Sequence, residues 1–398
     1  GIVTDPGLER EILAAVADGF ADQLAFAEEM VRHPSVRGRE DTVQDMIFDA
    51  LAARGYGVER VPLEPETLAA HPGAGRIEVD YSRAFNVVAT HRPEAPTGRS
   101  LLINGHVDVV PPGPLAMWTT PPFQPRREGG WLYGRGAGDM KAGLAAAIHA
   151  LDALARLGYA PAARLHVDSV IEEESTGNGA LMTHLRGYDA EAVLIPEPTG
   201  ERLVRANVGV VWFRLHVAGA PVHVREAGVG ANAIEAAQYL IAALREMEAE
   251  WNAAPRPAPF EGLESPLNFN PGRISGGDWP SSVPAWCSVD CRMAFFPGED
   301  PAGRAAEIEA RVAHAAEAHP YLSGNPPRIA YTGFFARGYT LAPGGDAEAA
   351  LAGAHESATG QALAEFVMPA YLDARVHAVH AGRPALVYGP RAEGIHGF

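Results

Sequence analysis

The sequence predicts an α/β fold: a central, largely parallel sheet, interrupted by an inserted α+β unit. Three observations carry this reading. Before Ala206, short apolar runs bounded by turn residues alternate with helical stretches, the pattern of strand–helix–strand units. After Ala206 the pattern changes to half-exposed, alternating strands around two long helices. Past residue 335 the first pattern resumes. We therefore expect one domain from residues 1–206 and 335–398, with residues 207–334 inserted into it.

The elements follow in order. Leu8 to Arg32 reads as an amphipathic helix, and Asp41 to Arg54 as a second that stops at Gly55, a helix-ending residue. FNVVATH (Phe85 to His91) and LLINGHVDVV (Leu101 to Val110) read as strands. DMKAGLAAAIHALDALARLG (Asp139 to Gly158) is helical, with Ala and Leu at turn spacing. ARLHVDSVIEEE and AVLIPEP are two more apolar strands. VGVVWFRLHVAG (Val208 to Gly219) alternates like a half-exposed strand, and a helix from Ala231 to Trp251 follows. After a Pro-rich stretch come strands around GRISGG and WCSVDCRMAF, a helix from Pro301 to His319, and the strand PPRIAYTG. The chain then returns through helix, strand and strand to PALVYGP and GIHGF.

Bulk properties narrow the function. With 398 residues, 47% apolar and 20% charged, the chain is long enough for two domains and has an ordinary globular composition. A net charge of −17 argues against binding nucleic acid or an anionic membrane through bulk electrostatics. No apolar run approaches the roughly 18 residues of a membrane helix, and GIVTDPGLEREILAAV lacks the basic-then-apolar layout of a secretory signal. The two cysteines, Cys287 and Cys291, are too few for a disulfide framework and read as reduced core thiols. Together these features favour a protein of a bacterial-type cytoplasm.

Chemistry-bearing residues gather at strand ends and turns, where open α/β sheets bind ligands. In NGHVDVVPPG, His106 and Asp108 are two apart in a strand and share a face. An Asp so placed can accept the second N–H of a metal-ligating His, although a lone strand His also reads as a core residue. In GRGAGDMKAG, Asp139 precedes a helix and reads as an N-cap or a ligand. VIEEESTGNGA ends a buried strand in three glutamates, Glu172, Glu173 and Glu174, whose charges repel unless a cation lies among them. IPEPTG carries Glu197, and His396 sits in a Gly-flanked turn near the end.

In this order, H-x-D, G-x-x-D-M-K-x-G, E-E-x-x-G-x-G, E-P-T and a late G-x-H, the series resembles the co-catalytic zinc acylase and carboxypeptidase superfamily. Acetylornithine deacetylase, succinyl-diaminopimelate desuccinylase, aminoacylase and the glutamate carboxypeptidases belong to it. The resemblance implies two divalent metal ions, Zn²⁺ above all, with Co²⁺ or Mn²⁺ also compatible with His and carboxylate ligands. It implies that Asp139 bridges them, that His106 and Glu197 complete one site, and that Glu174 and His396 complete the other. Asp108 is implied as the partner that orients His106, and Glu173 as the general base; Glu172 is then the extra carboxylate, solvated or structural. GAPVHVREAGVGANAI matches the superfamily's lid and dimerisation segment. A homodimer is implied, with His223 reaching the partner's active site to hold an oxyanion, and Asn232 as a structural helix-start residue. Arg292 is implied to hold a substrate carboxylate, and Asp373 and Arg375 in PAYLDARV to border the substrate.

The chain departs from the superfamily pattern at Ser281 and Ser282, at Tyr371 and Leu372, and at Phe398, where relatives continue with an acidic stretch and a helix. The first two departures bear on the substrate, and the third leads us to expect that the terminus is incomplete. The expected activity is metal-dependent hydrolysis of an N-acyl amino acid or related N-acyl amine. The alternatives are a dipeptidase or carboxypeptidase with the same machinery and, more remotely, a binding protein that keeps the fold without turnover.

Overall fold

The computed structural model describes residues 5–398, so the first four residues of the expected N-terminal domain lie outside the described residues. The single helix expected over residues 8–32 is two helices, Pro6–Asp18 and Phe20–Arg32, parted at Gly19. A Cβ on Gly19 would lie 2.5 Å from Arg156 Nη2, which donates to Ala15 O at 2.6 Å.

A six-stranded sheet runs in the order Gly57–Pro62, Phe85–His91, Leu165–Val170, Leu101–His106, Ala192–Ile195, Ala385–Val387. The first two ladders are antiparallel and the remaining three parallel. The Leu165–Val170 strand is buried at every position, as an interior strand covered on both faces must be. Helices Asp41–Ala53 and Ala142–Arg156 lay Ile47, Leu51, Leu144 and Ile148 against Val87 and Val167 of the sheet.

The second large sheet is wholly antiparallel, in the order Phe269–Gly276, Trp286–Phe295, Gly209–Ala218, Arg328–Ala336. Helices Ala233–Ala253 and Pro301–Glu317 pack with it. Each starts as its sequence dictates: Asn232 Oδ1 accepts from Glu235 N at 3.0 Å, and Asp300 caps a helix that begins with proline. Cys287 and Cys291 are free and buried in this core, and burial pushes the Cys291 thiol up to about 12. On the way out and back the chain pairs with itself, Asn207 against Tyr339, in a small three-stranded sheet with Glu365–Met368. The fold is thus α/β with an additional sheet domain. Among the described residues, no helix is long and apolar enough to cross a membrane.

Candidate metal centre and active site

Three parallel strands deliver the site. Leu101–His106 ends on His106, Leu165–Val170 runs into the glutamate turn, and Ala192–Ile195 leads to Glu197. Because these strands are parallel neighbours, their carboxyl ends meet at one edge. Asp139 arrives from the irregular turn before helix Ala142–Arg156, and His396 from the last turn of the chain. Here the strand is shorter than its apolar pattern suggests. It stops at His106, and Asp108 lies beyond it, so the two do not share a strand face.

The side chains converge. His106 Nε2 lies 3.0 Å from Asp139 Oδ1, 3.3 Å from Glu197 Oε1 and 3.4 Å from Glu173 Oε2. His396 Nε2 lies 3.4 Å from Asp139 Oδ2 and 3.5 Å from Glu174 Oε2. Two sets, His106–Glu173–Glu197 and His106–Asp139–Glu174, each bring ligand atoms within 4.8 Å of one another. All donors are imidazole nitrogen or carboxylate oxygen, a set that suits borderline divalent cations.

Electrostatics describes the same cluster. Burial pushes Glu173 well above the usual carboxylate range, and Glu174 and Glu197 add to it against the pull of His106. Burial, with Asp139 beside it, takes Glu174 up to about 8, and burial takes Glu197 up to about 7. Burial would lower His106, but Glu173, Glu197 and Asp108 outweigh it and raise it well above the ordinary value. Burial likewise opposes ionisation of Asp139, yet hydrogen bonds from His106 and His396 hold it well below the usual range. Acids crowded into a dry pocket hold protons or share a cation.

Asp108 and Glu172 have more specific tasks than the motifs suggest. His106 Nδ1 is 2.9 Å from the Asp108 carbonyl and 3.4 Å from its carboxylate, so the carbonyl is the nearer acceptor. The Asp108 carboxylate instead accepts the backbone N–H groups of Glu173, at 3.3 Å, and Glu174, at 3.0 Å. Glu172 is structural and 2% exposed. Arg37 donates to it twice, at 2.8 and 2.9 Å, and Tyr81, Ser175 and Thr176 donate their hydroxyls. Arg135, also absent from the motif reading, donates to the carbonyls of Ile395 and Gly397 at 3.1 and 2.8 Å and so holds the turn that carries His396.

The remaining expected residues lie elsewhere. His223 is exposed, and its Nδ1 accepts from Arg225 N at 3.1 Å; among the described residues no hydrogen bond or ion pair joins it to the cluster. Arg292 donates to the carbonyls of Asn268 and Pro369, at 3.2 and 3.0 Å, with no carboxylate partner among the described residues. Burial pushes its guanidinium down to about 10. Asp373 is buried and takes the Tyr371 hydroxyl at 2.9 Å on one oxygen, while the other has no partner. Burial lifts it to about 6. Arg375 has no exposed surface: it donates to the Gly73 carbonyl at 2.6 Å and the Tyr371 oxygen at 3.2 Å, beneath the glutamate turn rather than open to a ligand.

Carboxylates gathered around the buried His106 at the carboxyl edge of an open sheet, with the more exposed His396 beside them, suit the site of a metal-dependent enzyme. The family model described as peptidase family M20/M25/M40 matches residues 102–397, and the chain belongs to that family. It is 28% identical over 344 residues to the N-formyl-4-amino-5-aminomethyl-2-methylpyrimidine deformylase of Halalkalibacterium halodurans, covering 81% of this chain and 74% of the relative. It is 28% identical over 352 residues to the succinyl-diaminopimelate desuccinylase of Cupriavidus pinatubonensis, covering 85% and 83%. The fold is that of the di-peptidase Dug1p from Saccharomyces cerevisiae, with TM-score 0.76, 14% identity and 98% and 93% of the two chains covered. An M20 family metallo-carboxypeptidase from Sulfolobus solfataricus shares it too, with TM-score 0.72, 16% identity and 94% and 93% coverage. The chain is accordingly a hydrolase of C–N bonds in linear amides.

Proposed function

We propose that this hydrolase removes the acyl group from an N-acyl amino acid or related N-acyl amine, using two metal ions. The observation that carries the reading is the buried convergence of His106, Asp139, Glu173, Glu174 and Glu197 at one sheet edge, with His396 closing its open side. Asp139 presents one oxygen to His106 and the other to His396, which suits a carboxylate shared between two ions. His106 and Glu197 complete one site, and Glu174 and His396 the other. Zn²⁺ suits this donor set best, with Co²⁺ or Mn²⁺ as substitutes. Bound there, such cations polarise an amide carbonyl and lower the pKa of water towards about 7. Glu173, the remaining carboxylate of the cluster, takes the proton of the attacking water and delivers it to the leaving nitrogen.

Arg292 is the candidate for a substrate carboxylate, since its half-buried guanidinium has carbonyls but no acid as partners among the described residues. Asp373, buried and bonded to the Tyr371 hydroxyl, would border the substrate only indirectly, through Tyr371. The exposure of His223 suits a residue that acts across a homodimer interface, on the partner's substrate. Light scattering tests that pairing, and a fully active monomer would remove it. Two unpaired thiols fit a reducing, cytoplasmic setting.

The test is a panel of N-formyl, N-acetyl and N-succinyl amino acids set against dipeptides, before and after chelation. We expect chelator-sensitive deacylation, restored by Zn²⁺. Cleavage of dipeptides alone would move the chain to the dipeptidase reading with the same machinery.

A further inference from the structure

The segment between the second and third helices, residues 33–40, carries none of the expected ligands. Yet it touches each of the three segments that bear His106, Asp139 and the glutamate pair. Ser35 is fully buried, and its hydroxyl donates to the carbonyl of Val107, the residue after His106, at 2.7 Å. Ser35 O accepts from Val109 N at 3.0 Å, and Val36 bridges Val109 in parallel. The Ser35 hydroxyl in turn accepts from Lys141 Nζ at 2.8 Å, two residues past Asp139, and Lys141 also donates to His33 O at 3.2 Å. Arg37 grips both oxygens of Glu172.

Glu172 is the hub of the turn that follows. Its carbonyl accepts the N–H groups of Thr176 at 3.1 Å and Gly177 at 2.8 Å. Its side chain takes the hydroxyls of Ser175 and Thr176. Its φ of 67° is a left-handed conformation, costly for a non-glycine residue. A conformation of that cost persists where surrounding contacts impose it, and here the contacts are Arg37, Tyr81 and the turn's own hydroxyls.

We propose that residues 33–40 are a positioning loop for the metal centre, with Ser35 setting His106 against Asp139 and Arg37 setting the Glu173–Glu174 pair through Glu172. Neither residue touches metal or substrate; both act through backbone one or two residues from a ligand. This rests on the two-metal reading above.

The experiment measures zinc affinity of the purified full chain by competition with a chromophoric chelator, alongside thermal unfolding of the metal-free protein. Arg37→Met is compared with Arg37→Lys, Ser35→Ala and a control, Arg54→Met. The control removes an equally bidentate pair, Arg54 with Asp152 at 2.8 and 2.9 Å, and among the described residues neither partner has a hydrogen bond or ion pair with a ligand residue. Arg37→Met and Ser35→Ala are expected to weaken zinc binding about 10- to 100-fold, as loss of ligand-orienting partners does. Arg37→Lys is expected in between, because one ammonium cannot grip both carboxylate oxygens. Arg54→Met is expected to bind zinc like the parent whatever its stability. Parental zinc affinity in Arg37→Met, or an equal loss in Arg54→Met, overturns the proposal. If Arg37→Met does not fold, Ser35→Ala decides in the same way. A parent chain that binds no zinc overturns the metal reading instead, so the two failures are distinct.

Discussion

The two large sheets bury opposite kinds of residue. Around the six-stranded sheet, Asn86, Asn104, His106, Asp108, Asp168, Glu172, Glu173 and Glu197 are all buried, most of them ionisable. Around the four-stranded sheet, Val211, Phe213, Leu215, Val217, Val289, Met293 and Phe295 form an apolar core. The difference teaches where free energy is spent. An apolar core stabilises by burial alone. A polar one is costly to assemble and persists only where each group has a partner, a proton or a cation. The first sheet therefore carries the candidate site, and the second is built as scaffold.

Mutations should separate these roles. The largest expected effect is Glu173→Ala, which should lower kcat about 10²–10⁴-fold, the range for loss of a general base, while metal content by elemental analysis stays at the parental level. Full activity with metal retained would break the assignment. Phe213→Ala, in the apolar core and stacked with Phe269, should cost about 3–5 kcal/mol of stability in denaturant unfolding. It should leave the zinc affinity of the folded fraction unchanged. A Phe213→Ala variant that lost zinc while still folded would break the comparison.

A smaller effect separates the sheets by pH. His377 is buried beneath the first sheet, 3.2 Å from Asn104 Oδ1, and burial pushes it from 6.5 down to about 3. The folded chain therefore keeps it neutral while the unfolded chain protonates it below about pH 6.5. Its neutral state holds full stability above that pH, and stability falls as pH drops from 6.5 towards 3. His377→Gln should flatten the dependence of Tm on pH over that window by about one proton's worth of slope. An unchanged slope would mean that His377 is not held neutral.

Much of this organisation was legible in the chain itself. The alternation of strands and helices, the caps at Asn232 and Asp300, and the separate motifs of His106, Asp139, Glu173–Glu174, Glu197 and His396 are local patterns. What was not legible is long-range. Arg37 and Glu172 are 135 residues apart, Tyr81 and Glu172 are 91, and Arg135 and Ile395 are 260. HPSVRGRE looks like any turn between helices, and only the folded sheet reveals that its Ser35 and Arg37 face the ligand segments. The approach of Arg156 to the turn at Gly19 is as remote, 137 positions away in sequence. The His106–Asp108 strand was read too long because Val107 and Val109 continue the apolar pattern while bonding to Val170 and Ser35 instead.

The central claim is that the crowded acids of the first sheet exist to share cations. Its most direct test is zinc stoichiometry by elemental analysis of the purified chain and of His396→Ala. The account predicts about two equivalents per parent chain, the number a two-metal hydrolytic site holds, and about one in the variant, with deacylation falling in step. A parent chain that stays folded and active without metal would contradict it.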